Sequence, residues 1–332
     1  MQIRKPAYFD SFRCLAGKCP DSCCKEWEVE VDARSAAFYR SLAGPLGDRL
    51  RGVLKDDPDW GTVMIIQDGR CPMWRTDGLC RIQAELGHDA LCKTCRDFPR
   101  LCHDYGTFQE FGLELSCPEA ARLILSSPAA PFVTEEIPGG DTPDYDEDAM
   151  AVLLQTRAEA LEILQHPDYS ITEALILLLY YGYQAQSLLD NGDTPDFHPG
   201  LLLREAKFMA IPDGEEALID FFKELEILTP EWHARLSAPL PIVPWAKELR
   251  NLARYFIERY WLQAVSDYDL VSRVKLAVVS CILVHLLGGD VIQTAQSYSK
   301  EIENSDTNVN AILDAAYAHS ALTDARLLGM LV

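Results

Sequence analysis

Four cysteines crowd into the stretch FRCLAGKCPDSCCKEW: Cys14, Cys19, Cys23 and Cys24. A second block follows with Cys71-Pro72, Cys80, the C-x2-C pair Cys92 and Cys95, Cys102 and Cys117. Only Cys281, of 11 cysteines, stands apart. Thiols this dense can close disulfides, cycle as a redox pair, or hold a metal. In a reducing compartment metal ligation accounts for more of them, because a redox pair at Cys92 and Cys95 leaves the rest unexplained. Gly17 and Pro20 supply turns that let the first block curl toward one centre. Cys92-Lys93-Thr94-Cys95 is a knuckle that brings two thiolates to one ion from a tight turn.

Soft thiolates suit both zinc and iron–sulfur clusters, so ligand type does not separate the two. Neither block holds two evenly spaced C-x2-C pairs, as a zinc ribbon would. That irregularity favours a cluster with ligands from both blocks, with zinc as the alternative. The expected ligands are Cys14, Cys19, Cys23, Cys24, Cys71, Cys80, Cys92 and Cys95, with Cys102 and Cys117 as further candidates. Three protein thiolates on a cluster would leave one iron open to substrate. His88 and His103 flank the second block as possible ligands or proton carriers. Trp27 and Trp74, close to cysteines, would wall such a centre from water or simply pack in a core. His285 and Cys281 share an apolar segment and read as core residues.

Several motifs are absent. No G-x-G-x-x-G follows a predicted strand, and no G-x-x-x-x-G-K-[ST], H-E-x-x-H or G-x-S-x-G occurs. The C-x3-C-x2-C of radical S-adenosylmethionine enzymes begins at Cys19 and Cys23, but Glu26 stands where the third cysteine belongs.

The elements that position these residues change character along the chain. Residues 1–125 are punctuated by Gly and Pro, which predicts a cysteine-rich metal-binding module of turns and short helices, including 34–42 after the N-cap Asp32 and 118–125. Residues 126–148 are rich in Pro, Gly and acid and lack Lys and Arg, which predicts an exposed linker ending in an N-cap. From 149 to 332, apolar residues recur at three- and four-residue spacing, giving helices over 149–164, 172–189, 201–210, 214–227, 245–264, 269–287, 290–302 and 311–332. The expected fold is mainly α: a cysteine-rich N-terminal module followed by an α-helical bundle.

Net charge is −21, from 30 basic and 51 acidic residues. That balance argues against nucleic acid, which needs a basic surface. An acidic surface suits a lysine-bearing protein partner. The apolar runs at 174–181 and 276–287 are too short for a bilayer, and residues 1–10 hold no signal-peptide core, so the expected location is the cytoplasm, off the membrane.

The pattern FxCxxxxCxxxCCxxW at 12–27, the stretch CPMWRTDGLCRIQAELGHDALCKTCRDFPR at 71–100 and the segment YSKEIENSDTNVNAILDAAY at 298–317 resemble the flagellin lysine-N-methylases. A broader cysteine-cluster family of zinc or iron chelators shares the shorter CP…C…CRxFP pattern, here Cys71, Cys80 and Cys95. The resemblance implies a bacterial cytoplasmic enzyme that moves a methyl group from S-adenosylmethionine to lysine side chains of flagellin, with an associated [4Fe–4S] centre. By motif it carries over to Cys14, Cys19, Cys23 and Cys24, and to Cys71, Cys80, Cys92 and Cys95. A competing expectation is a non-enzymatic zinc module that binds a protein partner through the helical half.

Overall fold

The computed structural model describes every residue except Glu26, Trp27 and Asp59, so the expectation for Trp27 lies outside the described residues. The elements run in the order β1 (Gln2–Lys5), β2 (Val29–Glu30), α1 (Ala33–Ser41), α2 (Gly44–Val53), β3 (Leu54–Asp57), β4 (Gly61–Met64), α3 (Arg81–Leu86) and α4 (Lys93–Asp97). They continue with β5 (Arg100–Asp104), β6 (Phe108–Leu113), α5 (Pro118–Ser126), β7 (Val133–Glu136), α6 (Glu147–Gln165), α7 (Ile171–Asn191) and α8 (Pro199–Met209). The remainder is helical: α9 (Glu215–Glu224), α10 (Pro230–Leu236), α11 (Glu248–Tyr260), α12 (Leu270–Leu287), α13 (Val291–Ile302), α14 (Asp306–Ala318) and α15 (Asp324–Leu331). The fold is mainly α, as the periodicity predicts.

Helix boundaries follow local chemistry. Asp32, Asp146, Asp269, Asp290 and Ser305 each accept a backbone N–H as N-cap, and Ser170 with Glu173 forms a reciprocal capping box. Pro118, Pro199 and Pro230 occupy first-turn positions, where the missing N–H costs nothing. The segment expected as one helix over 311–332 is two. His319 turns its Nδ1 onto the Ala321 N–H, and a new helix starts after Thr323.

Two small sheets were not expected. One has the order β5-β6-β1-β7, with β1 parallel to β6 and antiparallel to β7; the other has the order β2-β4-β3. Both β7 and Asp146 lie within the acidic stretch. The four β7 residues are exposed yet bond to β1, and Asp146 caps α6. Gly106, at φ 73°, turns β5 into β6, and a Cβ there would stand 3.2 Å from the carbonyls of Asp141 and Thr142. The acidic stretch thus closes over this hairpin.

Burial falls into two cores. The larger joins the four-stranded sheet, α5 and the helices from α6 onward. At its centre α12 buries sixteen of its eighteen residues, including Cys281. This helix starts six residues before the apolar run expected at 276–287. Among the described residues it alone is long and apolar enough to cross a membrane, but 89% of it is buried inside the protein, as befits a core helix. Buried Lys275 is satisfied by the carbonyls of Ala316 and Leu322 and by Asp324 at 2.8 Å. His285 stacks on Trp245 with ring centroids 3.9 Å apart. Where α7 crosses α12, a Cβ on Gly182 would lie 2.9 Å from both methyls of Val274. Gly182→Ala should therefore cost about 1–3 kcal/mol by overpacking, read as a lower urea midpoint at unchanged m-value.

The smaller core contains Val29, Val31, Tyr39, Leu50, Met64, Met73, Ile82 and Cys92 among its buried residues. Cys71, Cys80 and Cys95 are packed against it.

Candidate metal centre

The thiols are placed by short-range backbone bonds. Cys71 begins a turn in which Trp74 N–H donates to the Cys71 carbonyl at 2.9 Å. Arg81 N–H then bonds the Met73 carbonyl at 2.7 Å, and Trp74 pairs with Cys80 across a single bridge. Cys80 is the N-cap of α3, and the amides of Gln83 and Ile82 at the helix start work against the rise that burial gives its thiol. Cys92 is the N-cap of α4, where the Cys95 thiol and amide lower its pKa. Asp32 locks α4 to α1, because its two carboxylate oxygens accept Ser35 N–H at 3.0 Å and Lys93 N–H at 2.8 Å. These amides hold the Asp32 carboxyl down at about 2. The Cys71 N–H donates to the Cys24 carbonyl at 2.7 Å, which draws the first cysteine block onto the second.

Cys24, Cys71, Cys80, Cys92 and Cys95 consequently share one neighbourhood, with Cys23 at its edge, and the charge of each sulfur raises the pKa of others in the set. Burial pushes the Cys71 thiol up to about 11 and raises Cys80. Two pairs, Cys92 with Cys95 and Cys23 with Cys24, interact thiol to thiol without a disulfide. The Cys95 thiol lowers Cys92 and is itself pushed well up, and the Cys24 thiol draws Cys23 down to about 7. Among the described residues no cysteine is in a disulfide, and no three His, Cys, Asp or Glu side chains are arranged to hold an ion as they stand. What fits a thiolate-ligated centre is the donor chemistry. The sulfurs are soft and several, and helix N-terminal amides face Cys80 and Cys92, where they stabilise a thiolate.

Cys14 and Cys19 neighbour Cys23 from the first block. Cys14 is exposed and Cys19 half-buried; burial raises the Cys19 thiol, with the charges of Cys14 and Cys23 adding to the rise. Cys117, the N-cap of α5, feels the charges of Cys19 and Cys23, and burial pushes its thiol up to about 12. The C-terminal motif holds the group in place. Gln296 donates to Asp21 at 3.1 Å and to the Ser116 carbonyl at 2.8 Å, and Lys300 bonds Asp21 at 3.0 Å. Burial alone would raise Asp21, but Lys25 and Lys300 hold it down at about 2. Cys102 lies exposed on β5, its charge partners being Asp104 and Lys93. His88 is exposed, and His103 lies on β5, where burial lowers its pKa. Trp74 is half-buried beneath the Arg70 guanidinium, 4.3 Å from its ring centroid.

A mainly helical protein with one gathered set of thiols and a second set stapled to its C-terminal helices is the class these observations define. The lysine-N-methylases of Salmonella typhimurium and Salmonella choleraesuis are each 30% identical to the chain over 200 residues, 58% of this chain and 49% of theirs. The flagellar biosynthetic protein FliU of Salmonella muenchen is 33% identical over 143 residues, 40% of this chain and 83% of that protein. The chain belongs to the FliB-type lysine-N-methylase family. It spans about half the length of the lysine-N-methylases it matches. No family model and no solved structure matches it.

Proposed function

We propose that the chain acts as a protein-lysine N-methyltransferase, moving methyl groups from S-adenosylmethionine to lysines of flagellin, with a [4Fe–4S] cluster held by its cysteines. The observation that carries this reading is the meeting of Cys24 from the first block with Cys71, Cys80, Cys92 and Cys95 from the second, in a relative of proteins named lysine-N-methylase. Three of Cys24, Cys71, Cys80, Cys92 and Cys95 would hold the cluster, and Cys23 stands beside them. When bound, a cluster with three thiolate ligands supplies an open iron suited to the amino and carboxylate groups of S-adenosylmethionine. The chain's own contribution is to fix the sulfurs on helix N-termini and to shield their inner side with Met73, Ile82 and Tyr39, all buried. The net charge of −21 favours encounter with a lysine-bearing surface.

Protein purified without oxygen should carry about four irons and four sulfides per chain with a brown chromophore. It should also transfer labelled methyl from S-adenosylmethionine to purified flagellin. Stoichiometric zinc in colourless protein would overturn the cluster and favour a structural metal module.

A further inference from the structure

Unsatisfied buried polar atoms collect in a pocket between the four-stranded sheet and α11. Tyr8, His103, Phe132, Tyr255, Glu258 and Arg259 line it. The Glu258 side chain is only 10% exposed. Its Oε1 lies 3.7 Å from Arg254 Nε, while its Oε2 is buried and accepts no hydrogen bond among the described residues. Across the pocket, on β5, His103 Nε2 is also buried without a partner. Glu110, by contrast, is fully engaged by Arg157. The free space is about 30 Å³, room for one or two waters or for the terminal aminomethyl group of a lysine, and far too small for a nucleoside.

We propose that this pocket receives the ε-ammonium end of the substrate lysine and that Glu258 Oε2 takes its proton. The assignment rests on the lysine-methylation reading above. A buried carboxylate oxygen with no donor is costly, and an ammonium supplies the missing donor. Glu258 is faced by Arg254 on its own helix, Arg157 on α6, Glu110 on β6 and Tyr8, with His103, Tyr255 and Arg259 around the same space. Burial raises its carboxyl to about 7, against the pull of Arg254 and Arg157. A base near neutrality is matched to catalysis at working pH.

The step balances. An N–H bond of the ammonium breaks, its electron pair stays on nitrogen and the proton goes to Oε2. That pair forms the bond to the methyl carbon of a sulfonium donor. The carbon–sulfur bond breaks toward sulfur, giving a thioether and a methylated ammonium, and Glu258 returns its proton to water.

The test titrates the full chain with n-butylammonium chloride from pH 6 to 9 and, in parallel, measures methyl transfer to flagellin. Wild-type protein should bind the amine, and Glu258→Gln should weaken that binding at least tenfold. In the same variant kcat should fall by about 100-fold or more, with KM for flagellin little changed, and the rise in rate through about pH 7 should vanish. Amine binding and transfer both unchanged in Glu258→Gln would overturn the assignment. Glu258-dependent amine binding without any methyl transfer would sink the enzymatic reading and leave the pocket standing. If Glu258→Gln does not fold, Phe132→Lys at the rim should abolish amine binding by placing a tethered ammonium there, and unaltered binding would overturn the proposal.

Discussion

Cys95→Ser should strip the protein of iron and abolish methyl transfer, whereas Cys102→Ser should do neither. Cys95 interacts thiol to thiol with Cys92, feels the charges of Cys24 and Cys71, and packs against the smaller core. Serine keeps the shape but offers a hard oxygen that ionises far less readily and suits a cluster poorly. Loss of a hydrogen-bonding partner to a metal ligand already costs about 10–100-fold in affinity or activity, so loss of a ligand should exceed that. Cys92→Ser and Cys71→Ser should behave alike. Cys102 sits exposed on β5, with Asp104 and Lys93 as its charged neighbours. Cys281 is a second control: it is wholly buried on α12 with its sulfur 3.6 Å from the Leu249 carbonyl. Cys281→Ala should lower stability modestly and leave iron untouched. Iron and sulfide content of the variants, purified without oxygen, decides the matter. Equal loss in Cys95→Ser and Cys102→Ser would refute the ligand set.

The same sulfurs mark where the sequence is informative and where it falls silent. The two blocks stand out as spacing, because C-x2-C and a four-cysteine run require no partner to be noticed. Which thiols meet does not show, since Cys24 reaches Cys71 through one backbone hydrogen bond across a gap in sequence. The placing of Cys19 near Cys117 depends on Gln296 and Lys300, which lie far along the chain. Long helices such as α6, α7 and α12 were legible from three- and four-residue periodicity and from caps such as Ser170 and Asp269. The strands were not, because none exceeds six residues, and β1 finds its partners only at Phe108–Leu113 and Val133–Glu136. Glu258 was hidden for a related reason. In ELRNLARYFIERY it reads as part of a solvated face, and only the packing of β6 and α6 over α11 buries it. The seven-residue helix α10, between Thr229 and Ser237, is too short for periodicity to register.

Arg157→Met should be among the most destabilising single changes in the chain, lowering the unfolding free energy by about 3–5 kcal/mol. Arg157 on α6 meets Glu110 on β6 in a two-pronged contact, both bonds 2.7 Å, with side chains only 8% and 6% exposed. The pair joins the four-stranded sheet to the helical part, and the guanidinium also lies 5.5 Å from the Phe132 ring centroid. Methionine keeps much of the apolar stem but leaves the Glu110 carboxylate buried with Arg4, 3.6 Å away, as its remaining cation. The loss measures that stranded charge more than the worth of the pair itself. Removing both partners together, as Glu110→Leu with Arg157→Met, should therefore recover most of the stability, and the double-mutant cycle should show strong coupling. An exposed pair behaves differently. Lys223 lies 3.0 Å from Asp220 with side chains 38% and 69% exposed, so solvent screens the contact, and Lys223→Met should leave the urea midpoint unmoved. If Arg157→Met proved as harmless as Lys223→Met, the sheet would not depend on this contact, and the burial of Glu110 would need another explanation.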